Sequence, residues 1–347
     1  MTERGREWDD WRWQVARAPR GAGGFGFPVV ATPYYLSLVD EGDPADPIRR
    51  MILPSEDERR AAPGATDDPI REEAHAVMPG LIRRYPDRAL LLVHGECAVH
   101  CRHCTRRILG RGRVAPIRGE ALDRALAYVA ATPEIRDVIL SGGDPLLLED
   151  DEIAGIAARV RAIPSVEIIR IGTRAPVALP MRVTRELARA LAAHGPLYVN
   201  TQFNHPREVT ADAVAAVARL VDAGIPVGNQ SVLLAGVNDR ADVMEALLRR
   251  LVAARVRPYY LFACDLVAGT EHFRVPLERA IAIMERLRGR LSGLAIPELV
   301  VDLPGGLGKV PVGPGYVVSR GPGGYVLRAP GGELVEYPEV DRAPDRG

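Results

Sequence analysis

Two rhythms of apolar and polar positions alternate along this chain. Strand-length apolar runs recur: RALLLVH (88–94), VILSG (138–142), VEIIRIG (166–172), PLYVNTQF (196–203), IPVGNQSVLL (225–234) and VRPYYLFAC (256–264). Between them lie stretches with an apolar residue every three or four positions: LDRALAYVAAT, IAGIAARVRAI, RELARALAAHG, ADAVAAVARLVDAG and ADVMEALLRRLVAA. Such strands, apolar on both faces and alternating with helices, predict a parallel sheet covered on both sides. Six units are too few for a closed eight-stranded barrel. They predict an α/β fold, a partial (β/α)6 TIM-like barrel, with function at the C-terminal strand ends. An open doubly wound sheet competes, and periodicity alone does not separate the two.

The flanks read differently. Residues 1–20, with WDDWRW, predict a short helix docked on a larger body, and 16–48, rich in Gly and Pro, predict irregular chain in which YLSLV starts a short helix. DDPIREEAHAVM predicts a further helix over Asp67–Met78, and YPDR (85–88) a turn before the first strand. After the repeat, PLERAIAIMERLRG predicts a long helix leading to LAIPELVVDLPGG. GYVVSRGPGGYVLRAPGGELVEYPE predicts a small hairpin or meander, and DRAPDRG a frayed end. The expected organisation is an N-terminal helical extension (1–83), a barrel core (84–303) and a C-terminal segment (304–347).

Composition narrows the class. The 347 residues can bury a sizeable core, and 45 basic residues balance 45 acidic ones. That balance disfavours a general nucleic-acid surface or a polybasic membrane contact. The sequence shows neither an apolar run long enough to span a membrane nor an apolar signal region near residue 1, so a cytoplasmic protein is expected. Four cysteines are too few for a secreted disulfide scaffold, and three of them fall within CAVHCRHC (97–104). Cys97, Cys101 and Cys104, spaced Cys-x3-Cys-x2-Cys just past the first repeat strand, can converge on one metal centre from a compact loop. Iron–sulfur and zinc both suit thiolates. Three thiolates leave one iron of a cubane open, whereas a closed zinc site would take His100 or His103 as fourth ligand. The fourth cysteine, Cys264, reads as a buried apolar thiol.

Other chemistry clusters at strand ends. SGGDP (141–145) offers glycines that let backbone approach a ligand, or an ordinary turn. GGLGK ends in Lys309 but is followed by Val310, so it lacks the hydroxyl of a phosphate-binding P-loop. Lys309 is either a solvated turn residue or a Schiff-base amine. Asp265 and Asp302 could bind a metal, act as acid and base, hold a cation or cap helices.

Together these motifs resemble the radical S-adenosylmethionine superfamily, and CRHCTRR more narrowly resembles the lysine 2,3-aminomutase family. The resemblance runs from WDDWRW to about Tyr316 and is strongest from Arg84 onward. It implies a [4Fe–4S] cluster on Cys97, Cys101 and Cys104, whose open iron chelates S-adenosyl-L-methionine. His103, Ser141, Gly142, Gly143, Asp144, Arg174, Asn200 and Gln202 would then line that cofactor; Gln202 replaces a histidine of the family's NTHFNHP pattern. PGGLGKVPVGPGY resembles the segment that anchors pyridoxal 5′-phosphate, which places Lys309 on its aldehyde. Arg84 and Arg88 would meet its phosphate, with Tyr85 beside the ring and Gln230 beside the phosphate. Asp265 and Asp302 would grip the distal ammonium of the substrate and Arg106 its carboxylate.

The implied reaction moves the α-amino group of L-lysine to Cβ, initiated by a 5′-deoxyadenosyl radical and supported by a flavodoxin- or ferredoxin-type electron donor. Arginine, another diamino acid or a protein-bound lysine such as that of translation factor P are alternative substrates, and a zinc-binding interaction module is the non-enzyme alternative. The chain departs from the family where GVNDR places Arg240 at a zinc-ligand cysteine and where no cysteine follows Cys264. The family's intersubunit zinc site is therefore expected to be absent, and any homo-oligomer to assemble without it.

Overall fold

A computed structural model describes residues 6–21, 26–60, 62–107, 116–321 and 323–339; the expected frayed end at 341–347 lies outside them. The parallel strands fall where the apolar runs predict. They are β3 (Arg88–His94), β4 (Asp137–Gly142), β5 (Ile168–Gly172), β6 (Leu197–Thr201), β7 (Val227–Leu233) and β8 (Arg257–Ala263). A seventh, β9 (Glu298–Asp302), pairs parallel to β8. Helices cross between them and cover the sheet. Arg185–Ala192 and Ala211–Asp222 start at Thr184 and Thr210, whose hydroxyls accept the Leu187 and Ala213 N–H groups at 3.0 and 3.1 Å. Ala213, Ala216, Val217 and Leu220 of the second helix are buried at one helical stripe, as are Met244, Leu247, Leu248 and Leu251 of Ala241–Ala253. These stripes join the strand side chains in one main hydrophobic core.

The edges of the sheet add what the apolar pattern did not show. Antiparallel strands β1 (Ala76–Met78) and β2 (Leu81–Tyr85) extend it before β3, and antiparallel β10 (Lys309–Pro311) extends it beyond β9. The full order is ten strands, β10-β9-β8-β7-β6-β5-β4-β3-β2-β1 in this numbering. The sheet curls until its two edges meet through side chains: Tyr85 and Arg84 of β2 touch Lys309 of β10 and Asp302 of β9. A curled, incomplete barrel is thus the fold, and the doubly wound alternative is set aside. N-terminal helices such as Trp11–Arg17, Pro33–Leu36 and Pro47–Ile52 pack outside it, and β11 (Val317–Gly321), β12 (Gly324–Arg328) and β13 (Leu334–Pro338) form a separate antiparallel sheet. No helix among the described residues is long and apolar enough to cross a membrane.

One predicted element is corrected. Asp67–Met78 is no helix: it is turns, a short 3-10 turn at Glu73–His75 and then β1. Asp68 ends any helical course there. Its carboxylate accepts the N–H groups of Glu72 and Glu73 at 2.8 and 3.1 Å, and Arg71 takes a left-handed φ of 50°. Local capping and sheet-edge pairing outweigh a helical pattern that few apolar residues support.

Candidate functional site

The chemistry gathers in two neighbouring regions, one at the C-terminal ends of parallel strands and one where the turn between β2 and β3 meets the end of β9. The first is the cysteine loop after β3. Its backbone is pinned from outside: the His100 N–H donates to Val30 O at 2.8 Å and the Arg102 N–H to Met51 O at 2.7 Å. Arg102 is fully buried and forks onto Glu58, Nε to Oε1 at 2.8 Å and Nη2 to Oε2 at 2.5 Å; Arg107 adds Nη2 to Oε2 at 2.7 Å. Both guanidiniums also lie over the Phe27 ring. Burial pushes the Glu58 carboxyl up, but the bonds from Arg102 and Arg107 outweigh it and leave it below its ordinary range. Arg102 and Arg107 of CRHCTRR are therefore anchors of the cysteine loop.

Cys97, Cys101 and Cys104 are free thiols on this loop. Burial raises Cys97 well above the usual thiol range and Cys104 to about 11, each further raised by the neighbouring cysteines. Among the described residues, no three His, Cys, Asp or Glu side chains already form a closed ligand set. Arg174 approaches from β5: Nη1 donates to Cys101 Sγ at 2.7 Å, and Nη2 to Glu208 Oε1 at 2.6 Å and the Tyr35 hydroxyl at 2.8 Å. His103 is buried, and burial, then Arg174 and Arg107, depress it to about 3, so its ring is neutral. Its Nε2 faces the Asn204 amide at 3.4 Å, while buried Nδ1 has no partner among the described residues. Free thiols, a guanidinium aimed at sulfur and an orphaned imidazole nitrogen fit a cluster-bearing cofactor pocket.

The glycine pair after β4 does structural duty here. A Cβ on Gly142 would lie 2.3 Å from His94 O, and one on Gly143 2.2 Å from Glu96 O. Only glycine lets the end of β4 lie flat against the start of the cysteine loop. Asp144 is engaged internally, accepting from the Thr173 hydroxyl at 2.6 Å and the Arg174 N–H at 2.8 Å, with its carboxyl raised by burial. Ser141 lies beside Arg106, Asn200 ends β6 against Gly228, and Gln202 lends its backbone carbonyl to Arg174 Nε at 3.3 Å. Gln230 sits within β7, paired with Tyr260 of β8.

The second region is where the sheet edges meet. Arg84 Nη2 donates to Asp302 Oδ1 at 2.8 Å, and Lys309 Nζ stands 3.2 Å from the same oxygen. The Lys309 N–H donates to the Tyr85 hydroxyl at 3.1 Å. Arg84 and Arg88 lie 5.1 and 4.6 Å from the Tyr85 ring centre, and Lys309 Nζ 5.9 Å from it and 5.6 Å from that of Phe262. Arg84 Nη1 is buried with no partner among the described residues. An amine, two arginines and an aromatic wall with one donor unused fit an anionic, ring-shaped aldehyde cofactor. Gly308, at φ 105°, gives Lys309 its approach to Tyr85.

Next to it, Asp265 accepts from the Thr105 hydroxyl at 2.5 Å; burial chiefly, and Asp302 nearby, push its carboxyl up to about 6. Arg106 reaches the same mouth but is engaged by Glu72, Nε to both carboxylate oxygens at 2.9 Å and Nη2 to Oε1 at 2.6 Å. Glu72, Thr105, Glu58, Tyr35 and Glu208 were not singled out from the sequence. Their partners lie far along the chain, and no spacing rule links them.

The Radical SAM superfamily model matches residues 91–248, and the Lysine-2,3-aminomutase model matches residues 284–346. The L-lysine 2,3-aminomutase of Clostridium subterminale is 46% identical over 90% of this chain and 80% of its own length. That of Acetoanaerobium sticklandii is 44% identical over 96% and 86%. The glutamate 2,3-aminomutase of Clostridioides difficile is 41% identical over 86% and 70%.

Proposed function

The chain belongs to the lysine 2,3-aminomutase family of the radical SAM superfamily, and from that premise we propose that it moves the α-amino group of L-lysine to Cβ, using a [4Fe–4S] cluster, S-adenosyl-L-methionine and pyridoxal 5′-phosphate. The observation that carries this reading is the meeting of the two sheet edges. Lys309, Asp302, Arg84 and Tyr85 come from opposite ends of a ten-stranded sheet into one contact set, with Asp265 beside it.

In this reading Cys97, Cys101 and Cys104 would hold the cluster, Lys309 the pyridoxal aldehyde, and Arg84 and Arg88 its phosphate. When bound, these groups supply a carbon radical and a π-system able to carry the migrating nitrogen. The chain's own part is placement. Arg106 orients the substrate carboxylate, and Asp265 with Asp302 holds the distal ammonium, a polarity that fits a diamino acid and opposes glutamate. Lys309 shares one oxygen of Asp302 with Arg84, so engagement of the lysine amine elsewhere would free part of that carboxylate for a substrate ammonium.

The test is anaerobic reconstitution with iron, sulfide, pyridoxal 5′-phosphate, S-adenosylmethionine and a low-potential reductant, offering lysine, arginine, ornithine and glutamate separately. Chromatography should show β-lysine as the main product. All four returned unchanged, with uncoupled deoxyadenosine released, would overturn the substrate assignment.

A further inference from the structure

The Glu72–Arg106 pair is absorbed by neither cofactor pocket. We propose that Glu72 is a positioning residue that presets Arg106 for the substrate carboxylate, an inference that rests on the aminomutase reading above. A guanidinium offers two faces to a carboxylate, a side-on fork of Nε and Nη2 and an end-on fork of Nη1 and Nη2. Glu72 takes the side-on fork, with Nε 2.9 Å from both oxygens and Nη2 2.6 Å from Oε1. Among the described residues, Nη1 makes one long contact, 3.4 Å to Ser141 Oγ. The end-on fork therefore remains for a second carboxylate, its plane and direction set by the first.

Glu72 can impose that direction because its own segment is fastened across the barrel mouth. Thr66 N–H donates to Leu266 O, and Ala268 N–H to Thr66 O, both at 3.0 Å; Gly305 N–H donates to Pro69 O at 3.0 Å. Gly306 lies so close that a Cβ there would stand 2.6 Å from Ile70 O. Asp68 fixes the turn that presents Glu72, accepting its N–H at 2.8 Å. The strap thus bridges the loop that carries Asp265 and the loop that carries Lys309, and it sets the carboxylate end of the site relative to the ammonium end. Both Glu72 and Arg106 are largely buried, 17% and 25% exposed at the side chain, so the pair is little loosened by solvent. The net charge of the pair is zero, so its contribution to binding is direction more than attraction.

The experiment compares wild type, Glu72→Ala and Glu72→Gln, loaded with cofactors, on lysine and on lysine amide, which lacks the carboxylate. Glu72→Ala should raise KM for lysine about tenfold to a hundredfold and change kcat less. It should also erode the preference for lysine over lysine amide. Glu72→Gln, which keeps one acceptor, should restore part of both. Calorimetric binding of the two compounds without reductant gives the same comparison free of turnover, and melting curves check folding. A merely structural Glu72 would weaken both compounds equally, and an unchanged KM and preference in Glu72→Ala would equally overturn the proposal. Wild type that binds lysine without isomerising it sinks the functional reading alone, since the calorimetric preference still judges Glu72. Wild type that binds neither compound sinks both.

Discussion

The two halves of the site hold their charges in opposite ways. Around the cysteine loop the main ion pairs are kept from water: Glu58 meets Arg102 and Arg107, and Glu208 meets Arg174, with side-chain exposures of 7% or less. At the lysine end one oxygen of Asp302 serves both Arg84 and Lys309, Arg84 keeps an orphaned nitrogen, and Arg106 spends only one fork on Glu72. The difference teaches where rigidity and exchange are built in. A buried ion-pair network resists change because any lost partner strands a charge in low dielectric. A network with shared or unused hydrogen-bonding capacity can trade partners when a ligand arrives.

Breaking the buried ion pairs should have the largest effect. Glu58→Gln removes the carboxylate that two buried guanidiniums share and should cost about 3–5 kcal/mol of stability, read as a lowered Tm or denaturant midpoint. Because the Glu58 carboxyl lies below its ordinary range, its contribution is full above the pH where an unfolded glutamate ionises. It is lost as pH falls through the folded value, so wild type and variant should converge in acid. The exchanging half should respond in activity instead. Asp302→Asn should lower kcat/KM for lysine by about 1.5–3 kcal/mol, roughly tenfold to a hundredfold, with a far smaller change in Tm than Glu58→Gln; equal losses of stability would erase the contrast.

Gly143→Ala sharpens the comparison from the backbone side. The added methyl meets Glu96 O in the rigid half, and about 1–3 kcal/mol of destabilisation is expected, again visible in melting. Titration should separate the halves too. Asp265, at about 6, belongs to the ammonium end, so kcat/KM for lysine should fall below that pH by about tenfold per unit. Asp265→Asn should lack this limb; its persistence would assign the limb to another group. Arg240→Ala marks the floor. Arg240 pairs with Asp242 at the surface, and its loss should change stability by less than about 0.5 kcal/mol, where a structural metal ligand would have registered strongly.

Much was legible from the residues because it is local or periodic. The parallel strands and their crossover helices follow from apolar runs and helical stripes, and the ends of the runs mark where Cys97, Asp265, Asp302 and Lys309 emerge. The Asp67–Met78 segment was misread for a physical reason. Its charges suit a helix face, but Asp68 caps its own turn and Met78 pairs with Leu81 at the sheet edge. That error hid Glu72, whose importance lies in a partner 34 residues away.

By itself the sequence determined the six repeat strands, the helices between them, and which reactive side chains stand near strand ends. Hydrophobic period and motif spacing act over a few residues, so the chain carries them in plain order. Only the tertiary structure decided that the sheet curls until Arg84 meets Asp302 and Tyr85 meets Lys309, more than two hundred residues apart. It alone decided that Arg102 and Arg107 anchor the loop to Glu58 and that Arg106 pairs with Glu72. The pairing of charges depends on burial and on distances through space, and neither is written in the order of residues.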